Sequence, residues 1–140
     1  MCKGTEVVKF GAGVVFILVL VLLVSACARR YVLLDQVLIR NATTGKITEV
    51  MVRHEPTQKF AEVNAILPGK SLEMGLSGGG QPMRATQAVV KWRDAEGREW
   101  SVNLDLPHDR QRMVDQQPVN LVYVIAPAGQ VSVGLQKSAH

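Results

Sequence analysis

The chain of 140 residues has few cysteines and few aromatic residues. Both cysteines, Cys2 and Cys27, precede the part of the sequence that carries a folding pattern. A disulfide framework or a thiolate metal site needs cysteines within the domain, so both are excluded for the folded part. Aromatic residues make up 5% of the chain, and the core must therefore consist mainly of valine, leucine and isoleucine.

The sequence also lacks a run of charge of one sign. It has 16 Lys and Arg against 12 Asp and Glu, with a formal net charge of +4, and the signs alternate along the chain. A nucleic-acid-binding surface usually shows a clustered basic stripe, and none is visible. We therefore expect no nucleic-acid partner.

The structural context of common active-site motifs is missing as well. Ser71 and Ser101 do not lie in the G-x-S-x-G pattern of a nucleophile elbow. Ser77 has that spacing in GLSGG, residues 75–79, but no helix is predicted after it to form the strand-to-helix turn of an elbow. The stretch GLSGGG, residues 75–80, is glycine-rich but lacks the following lysine and helix of a phosphate-binding loop. It is interpreted as a flexible connection.

The three histidines offer no metal-ligand spacing. His54, His108 and His140 lie far apart in the sequence. His108 is followed by Asp109, with Asp105 nearby, but these groups fall at a strand end, where solvated side chains of an ordinary loop are expected. The prediction is no catalytic residue, no metal and no cofactor, and hence no enzymatic activity.

The N-terminal segment has the three-part layout of a secretory signal. Met1–Phe10 carries two lysines and one glutamate, and Gly11–Val24 is an uncharged run rich in valine and leucine. Small residues, Ser25 and Ala26, then precede Cys27. A signal peptidase holds an extended backbone in a narrow slot, which requires small side chains at the cleavage point.

The sequence Val24-Ser25-Ala26-Cys27 resembles the lipobox of bacterial lipoproteins. The resemblance implies a diacylglyceryl group on the sulfur of Cys27, cleavage between Ala26 and Cys27, and acylation of the new amine by a fatty acid such as palmitate. Residues 1–26 would then be the signal peptide and residues 27–30 a lipidated tether. The first lipobox position departs from the commonest pattern, because it is valine instead of leucine.

The residue after the cysteine bears on localisation. Ala28 follows the cysteine, at the position where an aspartate would imply retention in the inner membrane. In Gram-negative lipoproteins this pattern implies a protein on the periplasmic side of the cell envelope, in the outer membrane more than the inner. The lipid of the membrane is then a partner through Cys27.

A single transmembrane helix is the alternative for the same segment. Phe10–Ala28 comprises 19 uncharged residues, close to the ~20 that span a bilayer, and Arg29 and Arg30 follow it. Under this alternative the chain is a single-pass membrane-anchored periplasmic domain. Either anchor places the remaining residues outside the cytoplasm and beside a membrane if the N-terminus stays inside.

Beyond Arg30 the apolar pattern has a period of two, which is typical of half-buried strands. The stretches QAVVKWRD (87–94) and EWSVNLDL (99–106) alternate in this way, and DAEG (94–97) supplies a turn in which Gly97 can take positive φ. These segments predict a β-hairpin. Trp92 and Trp100 share its inner parity, which favours core packing over an exposed sugar-stacking platform.

The rest of the chain follows the same scheme. Strands are predicted at residues 31–41, 47–54, 60–67, 71–76, 121–126 and 131–135. Residues 77–82 are predicted as a flexible loop, and residues 108–117 as a polar connection or a single helical turn. Seven or eight short strands with turns about every 8–12 residues predict an all-β fold, an antiparallel two-sheet sandwich of immunoglobulin-like or transthyretin-like type over residues 31–140.

A second resemblance concerns this domain. The stretches LPGKSLEMGL, AVVKWRDAEGREWSVNLDLP and VNLVYVIAPAGQVSV are similar to the second half of the small outer-membrane lipoprotein of type VI secretion systems. That family is a β-sandwich that recruits a larger membrane subunit through a loop. The first half of this chain is shorter, and the loop has no match in it.

Together these features predict a membrane-anchored envelope lipoprotein that acts as a non-catalytic binding or assembly module for a periplasmic or membrane protein. A secretion-system component is one form of this prediction. The alternative is a small-molecule or glycan-binding module that uses the end of the sandwich formed by loops 77–86 and 107–119. An enzyme would require His54, His108 and an acid to cluster.

Overall fold

A computed structural model describes residues 30–58, 60–75, 80–109, 113 and 115–139. The chain divides after Arg30 into two units, and the fold concerns the unit that starts at Tyr31. The described residues contain the strands β1 (Leu33–Asn41), β2 (Ile47–Glu55), β3 (Phe60–Ile66), β4 (Ser71–Gly75), β5 (Gln81–Pro82), β6 (Gln87–Arg93), β7 (Glu99–Asp105), β8 (Val119–Ala126) and β9 (Gln130–Lys137).

The strands form two sheets that pack together as a β-sandwich, which confirms the predicted fold class. The first sheet has the order β4-β1-β8-β9, with β5 beside β1 next to β4. The second sheet has the order β3-β2-β6-β7. The core lies between the sheets and its fully buried members are mostly valine, isoleucine and leucine, as the low aromatic content requires.

One pairing differs from the predicted antiparallel scheme, because β1 and β8 run parallel. They pair from Leu34 opposite Val119 and, after an irregularity in β1, from Gln36 opposite Asn120 to Asn41 opposite Ile125. A tight hairpin joins only antiparallel strands, whereas a parallel pair needs a long crossover. The second sheet lies between β1 and β8 in sequence and supplies that crossover. Periodicity carries no information on strand direction, so the sequence did not reveal it.

The predicted hairpin of residues 87–106 is confirmed. β6 and β7 pair antiparallel from Gln87 opposite Asp105 to Arg93 opposite Glu99. The turn between them contains Gly97, whose φ of 83° is the positive value predicted for a glycine at this position.

One connection contains more structure than the sequence indicated, and a second takes the helical form that was one of its two predicted alternatives. The predicted loop at 77–82 ends in the short strand β5, in which Gln81 and Pro82 pair with Leu34 and Leu33. A proline is tolerated there because β5 lies at the edge of the sheet. In the segment 108–117, the backbone N–H of Met113 donates to the carbonyl oxygen of Asp109 at 3.0 Å, which closes one helical turn.

Several turns meet at the end of the sandwich where β1 ends at Asn41. The start of β1, at Leu33, lies at the opposite end. Asn41 is fully buried there, and its Nδ2 donates to the carbonyl oxygens of Gly45 at 2.8 Å and Ile66 at 2.9 Å. Its Oδ1 accepts hydrogen bonds from the backbone and hydroxyl of Thr43. One side chain therefore ties the β1–β2 turn to the end of β3.

Candidate functional site

The outward side chains of the first sheet form one surface, which we call the low-charge face. Each strand contributes the residues that alternate with its core residues. The low-charge face consists of Ser71, Glu73 and Gly75 on β4, Gln36, Leu38 and Arg40 on β1, Asn120, Val122, Val124 and Ala126 on β8, and Gln130, Ser132, Gly134 and Gln136 on β9. Within this set, Arg40 and Glu73 are the charged side chains. Asp35, at the bulge near the start of β1, adds a third charge beside the set, where its Oδ2 accepts a hydrogen bond from Ser138 Oγ.

The centre of the low-charge face is apolar. Leu38 pairs with Glu73 on one side and with Val122 on the other, and Val122 in turn pairs with Gly134. Leu38 and Val122 are half-buried by their neighbours in the sheet. Nothing lies within 4 Å of the position that a Cβ would take at Gly134. The surface is therefore open at this point and can be approached closely.

The outward side chains of β2, β6 and β7 form a contrasting surface, which we call the ion-paired face. Arg93 Nη2 lies 2.6 Å from Glu99 Oε1 and 3.2 Å from Glu49 Oε2. Arg53 Nε lies 2.7 Å from Glu55 Oε1. Such surface ion pairs contribute only about 0–1 kcal/mol each to stability. Their charges keep this face hydrated.

The contrast between the two faces bears on binding. Depletion of charge at the centre of a surface is typical of protein–protein interfaces, and contiguous apolar patches mark interaction sites. A partner that covers the low-charge face displaces water from few charges, whereas covering the ion-paired face desolvates several carboxylates and guanidinium groups. The low-charge face is therefore the candidate docking surface.

One polar atom on this face lacks a protein partner. Asn120 lies between Gln36 on β1 and Gln136 on β9. Its Oδ1 is buried and accepts no hydrogen bond from a protein group in the described part of the chain. A buried amide oxygen without a hydrogen bond lowers the stability of the folded state by about 1–3 kcal/mol.

A tryptophan cluster packs at the end of the sandwich where the turns meet. The rings of Trp92 and Trp100 are stacked, with centroids 6.2 Å apart and planes 17° apart. Arg98 Cζ lies 5.5 Å from the Trp100 ring centroid, and the Trp100 ring also contacts Gly129. Core packing is confirmed for Trp92, which is buried, while Trp100 is half-buried at the rim.

Asp94 organises the hairpin turn beside this cluster. Trp100 Nε1 donates to its Oδ2 at 2.9 Å, and the backbone N–H groups of Glu96 and Arg98 donate to its Oδ1. The hydrogen bond from Trp100 is the main reason why the pKa of Asp94 falls from 3.8 to about 2, and the bonds and charge of Arg98 lower it further, against a smaller opposing effect of desolvation. The carboxylate is thus a structural part of the turn.

His54 and the pair Asp105 and His108, the candidates for acid–base chemistry, lie in different surroundings. His54 Nε2 lies 2.7 Å from the hydroxyl of Tyr123, a contact that joins the second sheet to the first. Tyr123 is fully buried, and burial raises the pKa of its hydroxyl. His108 and Asp105 are exposed at the end of β7. In the described ranges no three His, Cys, Asp or Glu side chains are placed to hold a metal ion.

A shallow groove of about 430 Å³ lies between β7 and the β8–β9 turn. It is lined by Val102, Ala126, Gly129, Gln130, Val131 and Ser132. None of these belongs to loops 77–86 and 107–119, where the sequence placed a ligand-binding end. Parts of those loops, at residues 77–79, 110–112 and 114, lie outside the described residues.

The most specific sequence prediction concerns lipidation of Cys27 and cleavage after Ala26, and both residues lie outside the described ranges. Ser77 and His140 lie outside them as well. Across the part of the chain that the structure describes, no helix has the length and apolar character to cross a membrane.

The low-charge face was not identified from the sequence, although a signal for it exists. The stretches VLI at residues 37–39 and LVYVI at residues 121–125 are apolar on both parities. A strand with one wet face alternates, as β7 does, whereas a strand that is apolar on both sides is covered twice or binds something. In the first sheet, this pattern marks Leu38, Val122 and Val124.

No protein-family model matches the chain, and no curated protein matches it. A solved structure that it resembles is described as the NMR structure of the protein from Eubacterium rectale. That structure has 10% sequence identity and a TM-score of 0.48, and the match covers 75% of this chain and 90% of that one.

Proposed function

We propose that this chain is a membrane-anchored lipoprotein of the bacterial cell envelope that acts as a non-catalytic docking module. Its partner is a periplasmic or membrane protein that presents an apolar, largely uncharged surface to the low-charge face. The observation that carries this proposal is the contrast between the low-charge face and the ion-paired face on the two sides of one sandwich.

The chemistry of the partner surface follows from the residues that it must cover. Leu38, Val122 and Val124 offer apolar contact at the centre, and the amides of Gln36 and Asn120 offer hydrogen bonds beside them. An acidic or basic partner surface would find few opposite charges here. A flat surface with apolar side chains and amide or hydroxyl donors fits this face best.

The anchor in this proposal is the acylated Cys27. One acyl chain binds a membrane weakly, whereas two or more hold a protein there. The tether of residues 27–30 spans at most about 14 Å when fully extended. The sandwich therefore stays close to the periplasmic side of the membrane, with the outer membrane favoured over the inner. A role in a secretion system is one form of this function, supported by the resemblance of residues 67–76 and 88–107 to the type VI lipoprotein.

The experiment compares two matched positions in living cells. Val122 and Val89 are both half-buried valines on central strands, Val122 on the low-charge face and Val89 on the ion-paired face. A photo-crosslinking amino acid at Val122 is expected to yield one dominant adduct with an envelope protein, and the same probe at Val89 is expected to yield none.

Two further results are required for support. The crosslinked peptide of the partner should be apolar and uncharged, and Leu38→Glu should abolish the adduct at Val122. Equal adducts from both positions would contradict the proposal, as would an adduct at Val122 that joins two copies of this chain. The absence of any adduct at Val122 would also contradict it.

A further inference from the structure

Strand β9 is the outermost strand of the first sheet. It pairs with β8 in an unbroken register from Gln130 to Lys137 and contains no proline. Its other edge presents backbone N–H and C=O groups to which a further strand can hydrogen-bond. An edge of this length and regularity is an uncommon feature unless something pairs with it.

The inward side chains of β9 are less covered than those of its neighbour. Val131, Val133 and Leu135 are half-buried. Their partners on β8, which are Ile125, Tyr123 and Leu121, are fully buried. Apolar surface at this edge is therefore left in contact with water, and a strand added to β9 would cover it.

We propose that β9 pairs antiparallel with β9 of a second copy of this chain, about a two-fold axis through Val133. In that register Gln130 lies opposite Gln136 of the second copy, and Ser132 lies opposite Gly134. Val131 lies opposite Leu135, and Val133 lies opposite itself. Amide meets amide, small residue meets small residue, and apolar meets apolar, so no charge faces a like charge. The two first sheets join into one continuous sheet.

The other edge strands suit a second copy less well. The same operation on β7, about Val102, places Glu99 opposite Asp105, and on β4 it places Glu73 opposite itself. Like charges directly opposite each other destabilise strand pairing. On β3, about Val63, the operation brings no like charges together, but it pairs alanine with alanine at positions 61 and 65, where β9 pairs valine with leucine, so it covers less apolar surface. Of these edges, β9 therefore gains the most from a second copy.

This contact goes beyond the proposed docking function and does not depend on it. Pairing at the edge leaves the low-charge face open and places two of these faces side by side. An edge-to-edge dimer thus offers a partner two adjoining copies of the docking surface.

The test measures the oligomeric mass of the full chain in detergent micelles by light scattering. The wild-type chain is expected to be a dimer. Ser132→Lys combined with Gly134→Lys places lysine opposite lysine twice across the axis, and the dimer should become at least tenfold weaker. Ser132→Lys combined with Gly134→Glu places lysine opposite glutamate twice and should restore it. The two variants differ at one residue, where an added Cβ meets open space.

A control and a second measurement keep the proposal falsifiable. Ser101→Lys combined with Asn103→Lys on β7 should leave the dimer unchanged. Val133→Cys should form an intermolecular disulfide between the two substituted residues, because residues on the axis lie ~4.5–5.5 Å apart between Cα atoms. Val131→Cys alone should not. A monomeric wild-type chain, a double-lysine variant that stays dimeric, or equal crosslinking at both positions overturns the proposal.

Discussion

The six-membered ring of Trp100 lies directly against the α-carbon of Gly129. A Cβ added at Gly129 would lie 2.2 Å from Trp100 Cε3 and Cζ3, closer than two carbon atoms can approach. Trp100 belongs to β7 in the second sheet, and Gly129 belongs to the turn before β9 in the first sheet. The contact joins the edges of the two sheets at one end of the sandwich.

Gly129→Ala is therefore expected to be strongly destabilising. The added methyl group must displace the tryptophan ring, and φ at Gly129 is 71°, which disfavours a side chain. The two effects together should lower the free energy of unfolding by about 2–4 kcal/mol, measured by urea denaturation. Gly97→Ala is the matched control, because φ there is 83° but nothing lies within 4 Å. The control substitution should lower the free energy of unfolding by only about 1 kcal/mol. Equal losses in the two variants would mean that the ring contact is unimportant.

Asn41→Ala tests the polar junction between the turns. The substitution removes the donors to the Gly45 and Ile66 carbonyl oxygens and the acceptor for Thr43. Because Asn41 is fully buried, the loss in free energy of unfolding should be about 2–4 kcal/mol. Asn103→Ala, on the exposed side of β7, should change the free energy of unfolding by less than about 0.5 kcal/mol. A small effect at Asn41 would exclude the junction as a stabilising feature.

The hydrogen bond from Trp100 to Asp94 predicts acid sensitivity. The pKa of Asp94 is about 2 in the folded chain and 3.8 as a reference value. The folded state thus favours the carboxylate, so this stabilisation is present above pH 3.8 and is lost as the pH falls towards 2. Asp94→Asn should lower stability at pH 7 and flatten its decline between pH 4 and 2. Glu96→Gln, in the same turn, is the control and should retain the wild-type decline. An unchanged slope in Asp94→Asn would refute this assignment.

The low-charge face predicts a separation between binding and stability. Val122→Lys introduces a charge at its apolar centre, so affinity for the captured envelope protein should fall at least tenfold, or about 1.4 kcal/mol. The matched substitution Val89→Lys, on the ion-paired face, should leave affinity unchanged. Calorimetric titration measures both affinities, and circular dichroism checks that both variants stay folded. Equal losses in the two variants would place the interface elsewhere.

Periodicity located most of the strands because alternation reflects burial on one face of a sheet. The pairing of Trp92 with Trp100 follows from the short turn between β6 and β7, which leaves little freedom of register. The parallel pairing of β1 with β8 could not be predicted in this way, because no local signal encodes contacts across most of the chain. The low-charge face depends on that same pairing, which brings Leu38 beside Val122. A surface assembled from distant strands becomes visible only when their order is known.

The central claim is that a lipid on Cys27 holds this sandwich at a membrane, and intact mass spectrometry of the chain extracted from membranes tests it most directly. The account predicts a mature chain that begins at Cys27, with the added mass of a diacylglyceryl group and an acyl chain. It further predicts that Cys27→Ser leaves the precursor uncleaved and without lipid. An unmodified wild-type chain that retains residues 1–26 would contradict the account.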